Sequence, residues 1–195
     1  MLGAFDDARM NAPAAGHLRQ NRRMNIAHRC RALAAATALS LLCAAAHAAR
    51  PGPGDVPPAD VGRGVGGDPV VLGAYAGKAV IVTFWATWCP YCLKELPVLE
   101  NVQNKAGKDQ MRVIAVNTES RDVFRKAARI MGEAMHLELA NDADGRAQEA
   151  FGVRGIPHMV IIGRDGRILR VYSGYSESKL DEIVADINLA LAPLH

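Results

Sequence analysis

From Val70 onward the chain alternates short apolar runs with stretches that are apolar on one side only. Ala79 to Ala86 (AVIVTFWA) is a near-continuous run of β-branched and aromatic residues, the pattern of a strand buried on both faces of a sheet. Behind it Leu93, Leu96, Leu99 and Val102 recur at helical spacing, which predicts a helix from about Tyr91 to Val102 with a kink at Pro97. Met111 to Asn117 (MRVIAVN) repeats the strand pattern. Arg121 to Met131 repeats the helical one, with Val123, Phe124, Ala127, Ala128 and Ile130 on its inner side. Strand, helix, strand, helix in that order implies a sheet with parallel strands.

Past Gly132 the pattern shortens. Leu137 to Leu139 reads as a brief strand, Asp142-Ala143-Asp144-Gly145 as a turn, and the following residues as a short helix ending near Phe151-Gly152. His158 to Gly163 (HMVIIG) and Ile168 to Ser173 (ILRVYS) are two strands joined by Arg164-Asp165-Gly166-Arg167. Asp-Gly in a tight loop marks a hairpin, so these two run antiparallel. Glu177 to Leu191 closes the chain as an amphipathic helix, with Leu180, Ile183, Val184, Ile187 and Leu191 on its apolar side. The predicted architecture is α/β: one mixed sheet, parallel early and antiparallel late, with helices on both faces.

The first third follows other rules. Ala32 to Ala46 is a 15-residue apolar run preceded by Arg22, Arg23, Arg29 and Arg31 and followed by Ala46-His47-Ala48, a small-x-small site. That is the layout of an export signal cut after Ala48, which places the protein in the periplasm. Fifteen helical residues cover about 22 Å against a bilayer core of roughly 30 Å, so cleavage is the reading and an uncleaved membrane anchor the alternative. Met24 opens a signal of ordinary proportions, and residues 1–23, which lack periodicity, read as an upstream mis-start. Arg22-Arg23 as part of a twin-arginine signal and Cys43 as a lipidated cysteine are rival readings, the latter opposed by the bulky Leu42 before it. Residues 49–68 carry Pro51, Pro53, Pro57 and Pro58 among repeated glycines and read as an extended linker. The domain is assigned to residues 69–195.

Composition changes meaning once the signal is set aside. The whole chain of 195 residues has net charge +3, but residues 49–195 hold 17 Lys+Arg against 18 Asp+Glu. No basic surplus remains to suggest nucleic acid as a partner. Of four cysteines, Cys30 and Cys43 fall in the signal, leaving Cys89 and Cys92. A pair three positions apart closes too small a loop to staple a fold, so in an oxidising compartment it reads as reactive.

Trp88-Cys89-Pro90-Tyr91-Cys92 stands where the first buried strand ends and a helix begins. First-turn amides and the positive end of the helix dipole stabilise a thiolate there. Pro90 suits the first turn, where its missing N–H would have no intrahelical partner. Cys89 is thus expected as an exposed, low-pKa nucleophile, and Cys92, one turn in, as the resolving thiol. No cofactor beyond this redox-active pair is expected. Zinc normally takes four ligands, and beyond the pair only His136, His158 and His195 are available, at irregular spacing. Met131, Met135 and Met159 read as core filler rather than copper ligands.

Together these motifs resemble the TlpA/ResA-type thioredoxin-like proteins. The resemblance rests on Trp-Cys-x-x-Cys after a buried strand, Pro97 five residues past Cys92, Gly155-Ile156-Pro157 ahead of a strand, and Asp165-Gly166-Arg167 in the next hairpin. It covers about Val70 to Leu191 and implies a thioredoxin fold with the family's strand-helix insert between Met111 and Gly152. It also implies a thiol-disulfide oxidoreductase, acting on protein thiols and disulfides, served by a membrane-embedded electron donor and connected with cytochrome c maturation. A monomer is expected. The resemblance further makes Pro157 cis and opposite the cysteines, so that Ile156 and Pro157 dock substrate alongside Trp88, Pro90 and Tyr91. It places Glu119 where relatives carry a buried glutamate that relays protons to Cys92. His158 stands where many relatives have Thr; facing the site, its imidazolium would favour the Cys89 thiolate and oxidising behaviour. The Pro90-Tyr91 dipeptide is better known from glutaredoxins, whose size and lack of the insert fit this chain badly. Three readings stay open: a reductase, a thiol oxidase, and a metal- or client-binding adaptor.

Overall fold

The computed structural model describes residues 50–193. The expected export signal and cleavage position, Met24, the Arg22-Arg23 pair, Cys43 and His195 lie outside the described residues. Among those described, no helix is long and apolar enough to cross a membrane.

Seven strands form one sheet: β1 (Asp60–Gly64), β2 (Pro69–Val71), β3 (Ala79–Trp85), β4 (Met111–Asn117), β5 (Glu138–Asn141), β6 (His158–Ile162) and β7 (Ile168–Ser173), in the order β2-β1-β5-β4-β3-β6-β7. The helices are α1 (Pro90–Ala106), α2 (Arg121–Ala134), α3 (Arg146–Ala150) and α4 (Leu180–Leu191). β3 is central, parallel to β4 and antiparallel to β6, and all seven of its residues are buried. Its apolar run therefore serves both faces. Ala79, Ile81 and Trp85 join a front cluster with Leu96 and Leu99 of α1, Phe124 and Ala128 of α2, and Ile183 and Ile187 of α4. Val80, Val82 and Phe84 join a back cluster with Ala147 of α3, Phe151 and Val61. The mixed sheet and the parallel-then-antiparallel order stand as the sequence predicts, with the three longer helices on the front face.

Four details differ from the sequence reading. Residues 60–64, assigned to an extended linker, form β1, which pairs antiparallel with both β2 and β5. A single apolar residue, the fully buried Val61, carries its side-chain burial. Gly62 allows the approach: a Cβ there would lie 2.5 Å from the Asn141 carbonyl oxygen, and its φ of 113° favours glycine. The preceding arm is also held, since Gly54 N–H donates to the Ile168 carbonyl and Ile168 N–H to the Asp55 carbonyl. Second, α1 continues through Pro97 to Ala106. Third, Val123 and Ile130 of α2 are exposed, and Phe124 and Ala128 alone form its buried seam. Fourth, Glu177–Lys179 is a 3-10 turn before α4, and Val184 is exposed.

Candidate redox site

The Cys89–Cys92 pair is present as a disulfide, with Cα atoms 5.3 Å apart, at the junction of β3 and α1. Cys89 is the N-cap of α1: its backbone is extended (φ −94°, ψ 100°), and its Sγ accepts a hydrogen bond from Cys92 N–H at 3.2 Å. Sulfur thus occupies the place that a Ser or Asp oxygen takes in other caps. A thiolate at this atom would receive the same N–H and the positive end of the helix, with no acidic residue in the first turn to oppose it. Pro90 takes the first helical position. One expectation is corrected: the Cys89 side chain is folded into the front cluster and only 4% exposed, against 0% for Cys92. Cys89 is the outer sulfur of the two, but in the disulfide it is not a freely exposed one.

Around the pair, Trp88 and Tyr91 are exposed at 69% and 57%. Both rings therefore stand open to solvent next to the pair in sequence. The Ile156–Pro157 peptide is cis, as the resemblance implies, and half-buried Ile156 packs against the cluster that holds both cysteines.

His158 and Glu119 are placed otherwise than expected. His158 pairs with Phe84 across the β3–β6 ladder, and the rings meet edge-on at 6.1 Å, within the back layer that Phe84 belongs to. Strand alternation turns it away from the cysteines even though it follows Pro157 directly. Its Nδ1 lies 3.2 Å from Ser173 Oγ, and burial holds its pKa below the usual histidine value. A neutral imidazole on the opposite face supplies no imidazolium to Cys89. Glu119, for its part, is half-buried and bound up in a local network. Thr87 N–H and Oγ1–H donate to its carboxylate at 2.7 and 2.9 Å, and Asn117 Nδ2 at 3.1 Å, which ties the Thr87-Trp88 segment to the end of β4.

The buried glutamate of this site is Glu95, which the sequence reading missed. It lies on α1 one turn past Cys92, is 5% exposed, and accepts a 2.7 Å hydrogen bond from Thr83 Oγ1 of β3. Burial raises its pKa from 4.5 to about 6, against the smaller opposing effect of the Thr83 bond. A signal was available: Glu95 adjoins Leu96 on the helix side that carries Cys92, Leu96 and Leu99. Among the described residues, no group of three or more His, Cys, Asp or Glu could hold a metal ion.

Comparison with known proteins places this geometry. Residues 53–187 match the Redoxin family. The thiol-disulfide oxidoreductase ResA of Bacillus thuringiensis subsp. konkukian is 26% identical over 122 residues, covering 62% of this chain and 70% of the relative. The thiol:disulfide interchange protein CycY of Rhizobium leguminosarum bv. viciae is 34% identical over 98 residues, covering 49% of this chain and 50% of that protein. The crystal structure of a putative thiol:disulfide interchange protein DsbE from Chlorobium tepidum superposes with a TM-score of 0.65 at 25% identity, covering 74% of this chain and all of that one. The chain belongs to the Redoxin family and, within it, to the TlpA/ResA-type thioredoxin-like disulfide oxidoreductases.

Proposed function

We propose that this protein is an exported reductase of protein disulfides, acting on cytochrome c precursors or similar thiol proteins and recharged by a membrane-embedded donor. The observation that carries it is Cys89 as the capping sulfur of α1, with the fully buried Cys92 donating its N–H. In the reducing direction the Cys89 thiolate attacks one sulfur of a partner disulfide, forming a mixed disulfide and releasing the partner's other sulfur as a thiolate. Cys92 then attacks Cys89 Sγ, closing the disulfide and releasing the partner's second thiolate. Two electrons pass to the partner, which takes up two protons as its sulfurs become thiols. Cys92 must lose its proton inside a closed cluster, and Glu95, with a pKa of about 6, is the carboxylate suited to accept it. Half-buried Ile156, held by the buried cis Pro157, forms with Trp88, Pro90 and Tyr91 the surface that receives the partner chain.

The reducing direction is favoured because the feature that argued for an oxidase, a charged His158 at the site, is turned to the opposite face. The oxidase reading keeps one support, the Pro90-Tyr91 dipeptide. Equilibration of the Cys89–Cys92 pair with glutathione or dithiothreitol buffers decides between them. A reduction potential at or below about −200 mV fits the reductase, and about −150 mV or higher fits the oxidase. Alkylation of reduced Cys89 with an apparent pKa near 8.5 would count against an activated thiolate in either direction. Export through residues 1–48 is tested by the N-terminal sequence of protein recovered outside the cytoplasm, expected to begin at Ala49.

A further inference from the structure

Tyr175 lies in the loop between β7 and α4, outside every apolar pattern of the sequence, yet two contacts tie it to the redox site from opposite sides. Gly174 N–H donates to the Pro157 carbonyl at 2.8 Å, which pins the residue before Tyr175 to the docking segment. Gly174 has a φ of 78°, the left-handed conformation that favours glycine, and turns the chain out of β7. On the other side, the Tyr175 ring lies 6.3 Å from the ring of Tyr91, tilted by 30°. Tyr91 stands in the first turn of α1, between the two cysteines. The ring pair thus bridges the two segments that a partner must touch at once. Lys94 brings its ammonium within 6.0 Å of the Tyr91 ring centre, and Tyr91 remains exposed beside Trp88.

We propose that Tyr175, with Tyr91, forms an aromatic wall of the exchange site and sets its preference for partners with an aromatic residue next to the reacting cysteine. This rests on the exchange function proposed above. Cys89 is nearly covered, so a partner's sulfur reaches it along a narrow approach, and the residues flanking that sulfur must lie against whatever stands beside the cysteines. The exposed Tyr91 ring and the half-buried Tyr175 ring keep surface open to a third ring, and aromatic contacts of this kind are worth roughly threefold to tenfold in affinity.

The test uses the reduced full chain and three disulfide-bonded peptides that differ only in the residue before the first cysteine: Phe, Ser or Glu. We expect kcat/KM for the Phe peptide to exceed that for the Ser peptide by about threefold to tenfold, with the difference in KM. Tyr175→Ala should bring the ratio close to one, and Tyr175→Phe should restore it, which a general loosening of the loop would not do. An equal rate for Phe and Ser peptides in the unaltered protein, or a ratio that survives in Tyr175→Ala, overturns the proposal. A preference for the Glu peptide also overturns it and assigns selection to Lys94. Exchange with none of the peptides overturns both this inference and the function it rests on, whereas exchange without discrimination strikes at the inference alone.

Discussion

Each face of the sheet buries a titratable side chain next to the strand that leads to the cysteines, and burial moves the pKa values of these two, Glu95 and His158, in opposite directions. On the front face Glu95 is raised to about 6; on the back face His158 is lowered from 6.5. In both cases the apolar surroundings disfavour the charged form. The consequences differ because Glu95 shares a helix turn with Cys92, while His158 contacts Phe84 and Ser173. The face a strand or helix presents decides which titratable group can serve the sulfurs, and proximity in sequence does not. His158 is one residue from Pro157 and is turned away; Glu95 is three from Cys92 and is turned in.

The largest expected effect separates the faces by their chemistry. Cys89→Ala removes the nucleophile at the start of α1, and disulfide exchange should fall to the uncatalysed background. Cys92→Ser should let Cys89 begin but not finish, so that a covalent adduct with a disulfide peptide accumulates and is read by mass spectrometry. Failure of that adduct to form would remove the assignment of Cys89 as the attacking sulfur. Next in size is a back-face change. Phe84 is fully buried, with its ring 5.5 Å from Phe151 and 6.1 Å from His158. Phe84→Ala should cost about 3–5 kcal/mol of stability, lowering Tm by roughly 10 °C, while the reduction potential of the folded protein stays at the parent value. A potential that moved with Phe84 would break the separation of the faces.

How much of this was legible in the sequence depended on how many residues carried each signal. β3, β4 and the β6–β7 hairpin are written in continuous apolar runs with Asp-Gly between the last two, and the structure places them within a residue of the reading. β1 was not legible, because in Asp60-Val61-Gly62-Arg63-Gly64 one buried valine carries the side-chain signal and backbone pairing with β5 supplies the rest. The cysteine pair was legible from spacing and place. Glu95 was legible only in part: it shares the helix side of Cys92, Leu96 and Leu99, but a glutamate in an amphipathic helix ordinarily faces water, and its partner, the buried Thr83 hydroxyl, comes from the facing strand. The facing of His158 stayed open in the sequence for a related reason: adjacency to Pro157 brings it near the site, and the side-chain period of two, with Phe84 opposite it on β3, sets the face it takes.

Glu95 offers the next test. Its folded pKa of about 6 lies above the ordinary value of 4.5, so the folded state binds more protons than the unfolded one between those values. The stability it contributes is full below about pH 4.5 and is lost as pH rises through 6, a change of about 2 kcal/mol. Measured on the disulfide form, in which the cysteines do not titrate, Glu95→Gln should be nearly neutral at pH 4 and up to about 2 kcal/mol more stable than the parent at pH 8. Its exchange rate should drop, and the pH–rate profile should lose the limb near pH 6. Unchanged kinetics in a protein with the altered stability profile would leave Glu95 as a buried carboxyl with no part in proton transfer.

His158 supplies the opposite slope. Its folded pKa lies below 6.5, so around and below that pH the unfolded state binds more protons, and stability rises with pH across the window. The contribution is full above about pH 6.5 and is lost as pH falls toward the lowered folded value. His158→Gln, which keeps a polar group in reach of Ser173 Oγ, should remove the rise of stability toward pH 6.5 in urea unfolding series of the disulfide form, leaving in place the opposing fall between about pH 4.5 and 6 set by Glu95. Exchange kinetics should keep the parent's pH dependence, because the imidazole faces Phe84 and not the sulfurs. A shift of the Cys89 alkylation pKa in His158→Gln beyond the error of the titration would place the ring's field at the redox pair after all. The two buried groups would then have to be treated as one coupled system across the sheet rather than as one group for chemistry and one for stability.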